Sequence, residues 1–263
     1  MNIYIVIPIR YIGTRFNGRP LADDTGWPLI RHVYEQAKKS KIASRVIVAT
    51  DDQRVVNAVE GFGGIAKLTG SHHRNGSERI NEVAAEFKPD DLLVNLQGDE
   101  PEMMPENIDS LIKLHLNIGA QVTTAAVPFD DRGPKEGHLS PLDTNSVKVI
   151  TNTPVLEKES GLFWGNGIYF SRNLIPYPFY DKGMVVKPED YLLHNGIYIY
   201  SVKTLSEISQ LPLGKLERIE KLEQLRFIEN NYKIAVGIQN HFPIKVNTNE
   251  DYLEFVKRWQ KNN

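Results

Sequence analysis

The chain has 263 residues, which is enough for one large α/β domain or two small ones. Its formal net charge is only -2 at pH 7, so there is no overall basic surface of the kind that binds nucleic acid. The chain has no cysteine, which excludes disulfides, thiolate metal sites and cysteine nucleophiles. No apolar run approaches the roughly 20 residues that span a bilayer, and the first residues do not form a signal peptide, so we expect a cytoplasmic protein without membrane insertion.

The N-terminal half alternates short β-branched runs with amphipathic helical patterns. Strands are predicted over 3–7, 45–50, 65–69, 91–97 and 121–127. Helices are predicted over 28–39, 51–63, 77–87 and 105–116, the second capped by aspartates and the third by Ser77. Repeated strand–helix–strand units of this kind indicate an α/β fold with a mainly parallel sheet flanked by helices.

The second half mixes loops with further strands and helices. A loop rich in Pro, Gly and Asp is predicted over 128–145, then strands over 147–151, 167–171 and 196–201. A helix over 214–231, a strand over 233–238 and a helix over 250–259 follow. No composition shift indicates a flexible linker, so we predict a single domain over 1–263 with an appended lobe contributed by about 128–232.

Positive charge is concentrated in the segment PIRYIGTRFNGR, residues 8–19, directly after the first predicted strand. Ligands of open parallel sheets bind beyond the carboxyl ends of the strands, where this segment falls. Its glycines and Arg10, Arg15 and Arg19 would supply amide donors and charge to a polyphosphate. A solvated surface loop is the alternative interpretation.

Two other segments carry possible site chemistry at the same edge. VNLQGDEP brings Asp99 and Glu100 to the end of a buried strand, where one carboxylate and substrate phosphates would hold magnesium, although turn chemistry also favours Gly-Asp there. HHRNGSERI places Gly76 and Arg79 near a helix start, where backbone can approach a base or ribose. An ordinary loop and helix cap explains the second segment equally well.

With these segments in order, the chain resembles the 3-deoxy-D-manno-octulosonate (Kdo) cytidylyltransferases, also called CMP-Kdo synthetases. The similarity runs from about residue 3 to residue 256 and spans loops as well as core strands. The motifs that carry it are IPIRYIGTRFNGRPL, RVIVATDDQRV, VEGFGG, NGSERI, VNLQGDEP, VKVI, IYFSRNLIP, HNGIYIY and LERIEKLEQLR.

The resemblance implies a Rossmann-like fold of the nucleotide-diphospho-sugar transferase type and a homodimer. It implies Mg²⁺-dependent transfer of CMP from CTP to Kdo or a close 2-keto-3-deoxy sugar acid, with release of pyrophosphate, in lipopolysaccharide biosynthesis. The lobe over 128–232 would then serve sugar binding and dimerisation.

Site residues also follow from the resemblance. Arg10, Arg15 and Arg19 would hold the triphosphate, and Asp99 would bind Mg²⁺. Cytidine and its phosphates would be surrounded by Gly13, Thr14, Asn75, Gly76, Ser77, Arg79 and Gln97. The sugar acid would be bound by Arg172, His194, Tyr198, Glu223 and Gln224.

The chain departs from the family pattern at several of these positions. The usual loop PARxxSxRxPxK has Ile9, Gly13, Asn17 and Arg19 at its alanine, serine, proline and lysine positions. In the late motif VDTxED, whose first aspartate is the second protein ligand for magnesium, this chain has Asn247. An amide oxygen can ligate magnesium, but the lost negative charge should weaken the site.

These departures leave two alternatives open. The chain could keep the chemistry and use a different acceptor, such as an amino-sugar acid or a phosphonate. It could also be a catalytically impaired homologue that binds nucleotide.

Overall fold

The structure is a computed structural model that describes residues 1–13, 15–137, 139–240 and 244–262. The first half contains β1 Ile3–Ile9, α1 Leu29–Lys38, β2 Arg45–Thr50, α2 Gln53–Gly61, β3 Ala66–Leu68, α3 Gly76–Ala84, β4 Leu92–Asn95, α4 Pro105–Ile118 and β5 Val122–Pro128. The second half contains β6 Lys148–Thr151, β7 Val155–Glu157, β8 Leu162–Ser171, β9 Leu192–Ser201, α5 Val202–Ser209, α6 Lys215–Glu220, α7 Gln224–Glu229, β10 Ile234–Ile238 and α8 Asn249–Asn262.

These elements form two compact units. Unit 1 comprises Met1–Asp109, Ser201–Ser209 and Pro243–Asn263, and unit 2 comprises Ser110–Tyr200 and Gln210–Phe242. Most of the lobe predicted over 128–232 lies in unit 2. Residues 201–209 of that segment lie in unit 1.

Unit 1 contains a parallel sheet in the order β3-β2-β1-β4. Strand β1 is almost entirely buried because it is apolar on both faces, as central strands of parallel sheets are. The register pairs Ile5 of β1 with Val94 of β4, so both strands end at the same edge. The predicted α/β fold with a mainly parallel sheet flanked by helices is confirmed.

Helix α8 fixes the segment that precedes it. Its residues Tyr252, Phe255 and Val256 form a buried cluster with Leu29 of α1 and with Val246, just ahead of α8. This packing holds residues 244–248 in a defined position in unit 1.

Unit 2 contains a mixed sheet in the order β9-β5-β10-β8-β6, with β7 paired to β8. Strands β5 and β10 are parallel and the other neighbours are antiparallel. Strand β6 also pairs with β9, so the two ends of this order are joined. In the described part of the chain, no helix is long and apolar enough to cross a membrane.

Two local predictions are wrong, and two elements were not predicted. Helix α3 is capped by Asn75 rather than Ser77, because Asn75 has extended backbone and its Oδ1 accepts a hydrogen bond from the Glu78 N–H at 2.9 Å. The helix predicted over 214–231 is two helices, because Lys221 adopts φ 56° and ends α6. The short strand β7 has no strong apolar pattern, and neither it nor helix α5 was predicted from the sequence.

Candidate active site

A cleft of about 340 Å³ opens in unit 1 at the edge where β1 and β4 end. Arg10 follows β1 directly, Gln97 follows β4, and the start of α3 closes another side. The lining residues are Pro8, Ile9, Arg10, Ile12, Gly13, Arg15, Phe16, Arg19, Arg74, Asn75, Gly76, Arg79, Gln97 and Asn247. The structure therefore brings together most of the predicted triphosphate and cytidine residues.

Glycines shape the loop that follows β1. The Gly18 N–H donates to the Tyr11 carbonyl at 3.0 Å, and Gly18 has φ +73°, a conformation that favours glycine. A Cβ on Gly13 would lie 2.8 Å from the Phe16 carbonyl oxygen, so a side chain there would shift the loop. The predicted nucleotide residue Thr14 lies outside the described residues.

The three predicted triphosphate arginines differ in their partners. Arg10 donates to the carbonyl of His73, and Arg15 Nη2 donates to the Asn247 side-chain oxygen at 3.0 Å. Within the described residues, neither arginine forms an ion pair. Their positive charge therefore remains available to an anionic ligand.

Arg19 links two sides of the cleft. Its Nη1 lies 3.4 Å from Asp99 Oδ2 and donates to the Val246 carbonyl at 2.9 Å. Part of its charge is already compensated by Asp99.

Two further arginines of the cleft are paired with carboxylates. Arg79 is 1% exposed, and its Nη2 donates to Asp51 Oδ2 at 2.8 Å. Arg74 Nε donates to Glu78 Oε1 at 2.7 Å. The guanidinium of Arg79 therefore serves the internal packing of the cleft wall, and the residue also lines the cleft.

The predicted cytidine residues lie around the start of α3 and the end of β4. Asn75 and Gly76 line the cleft, whereas Ser77 is buried in the first turn of α3. A Cβ on Gly76 would lie 3.1 Å from Pro8 Cγ, so glycine allows the helix start to approach β1 closely. Gln97 Nε2 donates to Asn95 Oδ1 at 2.8 Å, which fixes the Gln97 amide at the cleft wall.

Next to Asp99 lies an ion pair between the buried Glu100 and the partly exposed Lys245. Burial raises the pKa of Glu100 to about 7, although the Lys245 ammonium lowers it and the Asp99 carboxylate raises it further. Lys245 Nζ lies 3.1 Å from Glu100 Oε1. Burial lowers the pKa of Lys245, but Glu100 and Asp99 outweigh that effect and hold it above its usual value.

The side chains at this edge fit a metal ion held by one carboxylate. Asp99 Oδ1 is buried and has no hydrogen-bond partner among residues that the structure describes, so it can ligate a cation. The Asn247 oxygen already accepts from Arg15, and the Asp251 carboxylate accepts from two backbone N–H groups, those of Asn247 and Thr248. Within the described ranges, no cluster of three or more His, Asp or Glu residues could hold a metal.

Unit 2 holds the residues predicted for the sugar acid. His194 Nε2 lies 3.0 Å from the Thr124 hydroxyl and 3.1 Å from the Tyr198 hydroxyl. Burial and the nearby Glu223 carboxylate raise the pKa of Tyr198 well above its usual value, so its hydroxyl stays protonated. The structure therefore groups His194, Tyr198 and Glu223.

Arg172 and Gln224 have different surroundings. Arg172 Nε donates to the Glu220 carbonyl at 2.7 Å and Nη1 donates to the Thr144 carbonyl at 3.0 Å. Gln224 is buried at the start of α7, and its Nε2 has no hydrogen-bond partner in the described part of the chain. Gln224 is thus available to a ligand, whereas the Arg172 guanidinium already has backbone partners.

Several residues with contacts at these sites were not predicted from the sequence. Arg74 lines the cleft, Lys245 pairs with Glu100, and Thr124 contacts His194. The position of Arg74 just before a helix cap was a usable signal. Lys245 and Thr124 carried none, because their partners lie 145 and 70 residues away in the sequence.

Comparison with known proteins identifies the family of the chain. A family model described as cytidylyltransferase matches residues 4–234. The 3-deoxy-manno-octulosonate cytidylyltransferase of Parabacteroides distasonis is 40% identical over 253 residues, which cover 95% of each chain. The 8-amino-3,8-dideoxy-manno-octulosonate cytidylyltransferase of Shewanella halifaxensis is 38% identical over 253 residues, covering 95% of this chain and 96% of that protein.

A solved structure gives the same result. A CMP:2-keto-3-deoxy-manno-octonic acid synthetase complexed with CTP matches with a TM-score of 0.86 and 32% identity over 100% of both chains. The match of the family model to most of the chain, together with these relatives, assigns the enzyme class as nucleotidyltransferase. The chain belongs to the cytidylyltransferase family.

Proposed function

We propose that this enzyme transfers CMP from CTP to a 2-keto-3-deoxy sugar acid, Kdo or its 8-amino analogue, and releases pyrophosphate. The observation that carries the proposal is the pair Arg10 and Arg15, whose charges no carboxylate neutralises among the described residues of the cleft. Such a site suits a triphosphate. The named activities of the relatives from Parabacteroides distasonis and Shewanella halifaxensis supply the acceptor class.

The reaction exchanges one bond to phosphorus for another. The anomeric hydroxyl oxygen of the sugar acid attacks the α-phosphorus of CTP and forms a new P–O bond. The bond from the α-phosphorus to the bridging oxygen breaks, pyrophosphate leaves with the electron pair, and the hydroxyl proton passes to solvent. Negative charge grows on the leaving group, so the chain must position the reactants and stabilise that charge.

The described residues of unit 1 suit these tasks. Arg10 and Arg15 would bind phosphate oxygens directly, and Arg19 would join them from its place beside Asp99. Asp99 would hold Mg²⁺ through Oδ1, together with oxygens of CTP. Bound Mg²⁺ would neutralise phosphate charge and polarise the α-phosphoryl group.

In unit 2, His194, Tyr198 and Gln224 would bind the acceptor. The Tyr198 hydroxyl, which its raised pKa keeps protonated, would serve as a donor, and the Gln224 Nε2 lacks a partner among the described residues. Both are suited to a substrate rich in hydroxyl and carboxylate oxygens. Kdo and 8-amino-Kdo differ at carbon 8, so contacts with that carbon would decide between them.

We also propose that the enzyme forms a homodimer through the β7–β8 hairpin. Val155, Leu156, Phe163 and Ile168 are each more than half exposed there. In the register, Leu156 lies opposite Phe163. An exposed apolar group of this kind is typical of a protein–protein interface.

The experiment combines the full chain with CTP, Mg²⁺ and either Kdo or 8-amino-Kdo. Pyrophosphate release is followed by a coupled assay and the CMP conjugate by mass spectrometry. We expect a conjugate only when all three components are present, and the ratio of kcat/KM for the two acids identifies the acceptor. If CTP binds but neither acid yields a conjugate, the proposed acceptor class is wrong.

A further inference from the structure

We propose that Asn247 is a positioning residue for Arg15, and that in this chain it takes the place of a second metal ligand without acting as one. The inference deepens the proposed function and rests on it, since it concerns the same triphosphate site. It predicts that CTP affinity in the absence of metal depends on the neutral amide of Asn247.

Each residue of the segment Lys245–Asn247 contacts a charged side chain. The three contacts are Lys245 Nζ to Glu100 Oε1 at 3.1 Å, Val246 O to Arg19 Nη1 at 2.9 Å and Asn247 Oδ1 to Arg15 Nη2 at 3.0 Å. Two of the three partners are arginines that face the cleft. The segment therefore orients cationic groups.

The backbone of this segment is fixed independently of Asn247. The Val246 N–H donates to the Asp99 carbonyl at 2.8 Å, and the Val246 side chain is fully buried against Leu29 and Tyr252. The Asn247 N–H donates to Asp251 Oδ2 at 2.9 Å. A change of the Asn247 side chain should therefore alter its contact with Arg15 and leave the segment in place.

A neutral acceptor has a specific advantage next to Arg15. The amide oxygen orients the guanidinium through a hydrogen bond and leaves its charge available to phosphate. An aspartate at the same position would form an ion pair with Arg15 and would repel the phosphates. Asparagine in place of aspartate at position 247 thus weakens a metal site and strengthens direct anion binding.

The surroundings of Asn247 also disfavour a metal ligand role. Its oxygen lies in contact with one guanidinium, and the neighbouring Val246 carbonyl accepts from another, that of Arg19. A divalent cation bound to Asn247 would displace Arg15 or lie beside both positive groups. Asp99, with its buried unpartnered Oδ1, is the residue that remains for the metal within the described chain.

The test measures CTP binding by isothermal titration calorimetry, first in EDTA and then in Mg²⁺, with the unmodified chain, N247A and N247D. In EDTA we expect N247D to weaken binding about tenfold, which corresponds to about 1.4 kcal/mol, and N247A to weaken it about threefold. The matched control is N249D, which adds the same charge at an exposed position two residues later and should cost less than about twofold. Thermal unfolding checks that each variant is folded.

A second comparison separates positioning from metal binding. In an Arg15→Gln background, N247A should cause no further loss of metal-free CTP affinity, because the group that it positions is absent. The inference is overturned if N247A binds CTP normally in EDTA but needs about fivefold more Mg²⁺ for half-maximal binding. If the unmodified chain binds CTP in neither buffer, the proposed function itself fails, and the inference with it.

Discussion

The pairing of the cleft arginines predicts which of them contributes most to CTP binding. Arg10 and Arg74 both line the cleft and are both exposed, but only Arg74 has a carboxylate partner, Glu78. Arg10 donates to a backbone carbonyl and forms no ion pair within the described residues. Arg10→Gln and Arg74→Gln therefore remove the same chemical group from two different electrostatic settings.

These contacts determine how much CTP-binding free energy each variant should lose. Loss of an uncompensated arginine removes at least one charge-assisted hydrogen bond to phosphate, worth about 1.5–3 kcal/mol, so Arg10→Gln should weaken CTP binding about 10- to 150-fold. Arg74 and Glu78 together carry no net charge, and the Arg74 side chain is 61% exposed. Its loss should cost about 1 kcal/mol or less, which is about fivefold.

The assay is calorimetric titration of CTP into each variant in EDTA at fixed ionic strength. Raising the salt concentration should narrow the difference between the variants, because exposed phosphate contacts are screened. If Arg74→Gln weakens binding as much as Arg10→Gln does, carboxylate pairing does not decide which arginine binds the triphosphate, and the reasoning is refuted.

Three further outcomes are expected. Asp99→Asn should abolish Mg²⁺-dependent turnover with little change in the melting temperature, and retained turnover would remove Asp99 from the metal role. Burial lowers the pKa of His115 to about 4 from its ordinary 6.5, so the stability that its neutral form contributes is complete above pH 6.5 and lost as the pH falls towards 4. The free energy of unfolding, measured by denaturant titration, should therefore fall by about 3 kcal/mol less between pH 7 and pH 4 in His115→Gln than in the unmodified chain. An unchanged pH dependence would contradict the burial argument. Phe163→Lys should yield monomers, measured by light scattering. The control Leu68→Lys, at a similarly exposed position in unit 1, should remain a dimer. If both variants are dimers, the interface lies elsewhere.

The sheet of unit 1 and its helices could be predicted because their signals are local. Strand β2 begins and ends at the predicted residues, and helix α1, predicted over 28–39, buries its apolar residues Ile30, Val33, Tyr34 and Ala37. Apolar runs of this length can be buried in few ways, so the periodicity of the apolar residues was sufficient to predict these elements. The same reasoning placed Arg10 and Asp99 at one edge, since parallel neighbours end together.

Predictions failed where a single backbone conformation or a distant partner decides the structure. Lys221 divides the predicted helix 214–231 because it adopts positive φ, and the helical pattern of apolar residues continues through it. Nothing in the sequence indicated that Arg79, which lines the cleft, is paired with Asp51, 28 residues earlier. The spacing of residues along the sequence indicates neither the backbone conformation of Lys221 nor the pairing of Arg79 with Asp51.

The two charge-related departures from the family pattern meet at one place in the molecule, which argues that they are coupled. The guanidinium that replaces the family lysine, Arg19, lies beside Asp99 and donates to the carbonyl of Val246, the residue before Asn247. Asn247 in turn holds Arg15. A lysine at position 19 would be a compact point charge with a flexible stem, whereas the planar guanidinium keeps its donors in fixed directions. Under the proposed function, with an arginine there and no carboxylate at 247, this edge of the cleft would bind phosphate more through fixed cations, and Asp99 would be the carboxylate on which any metal depends.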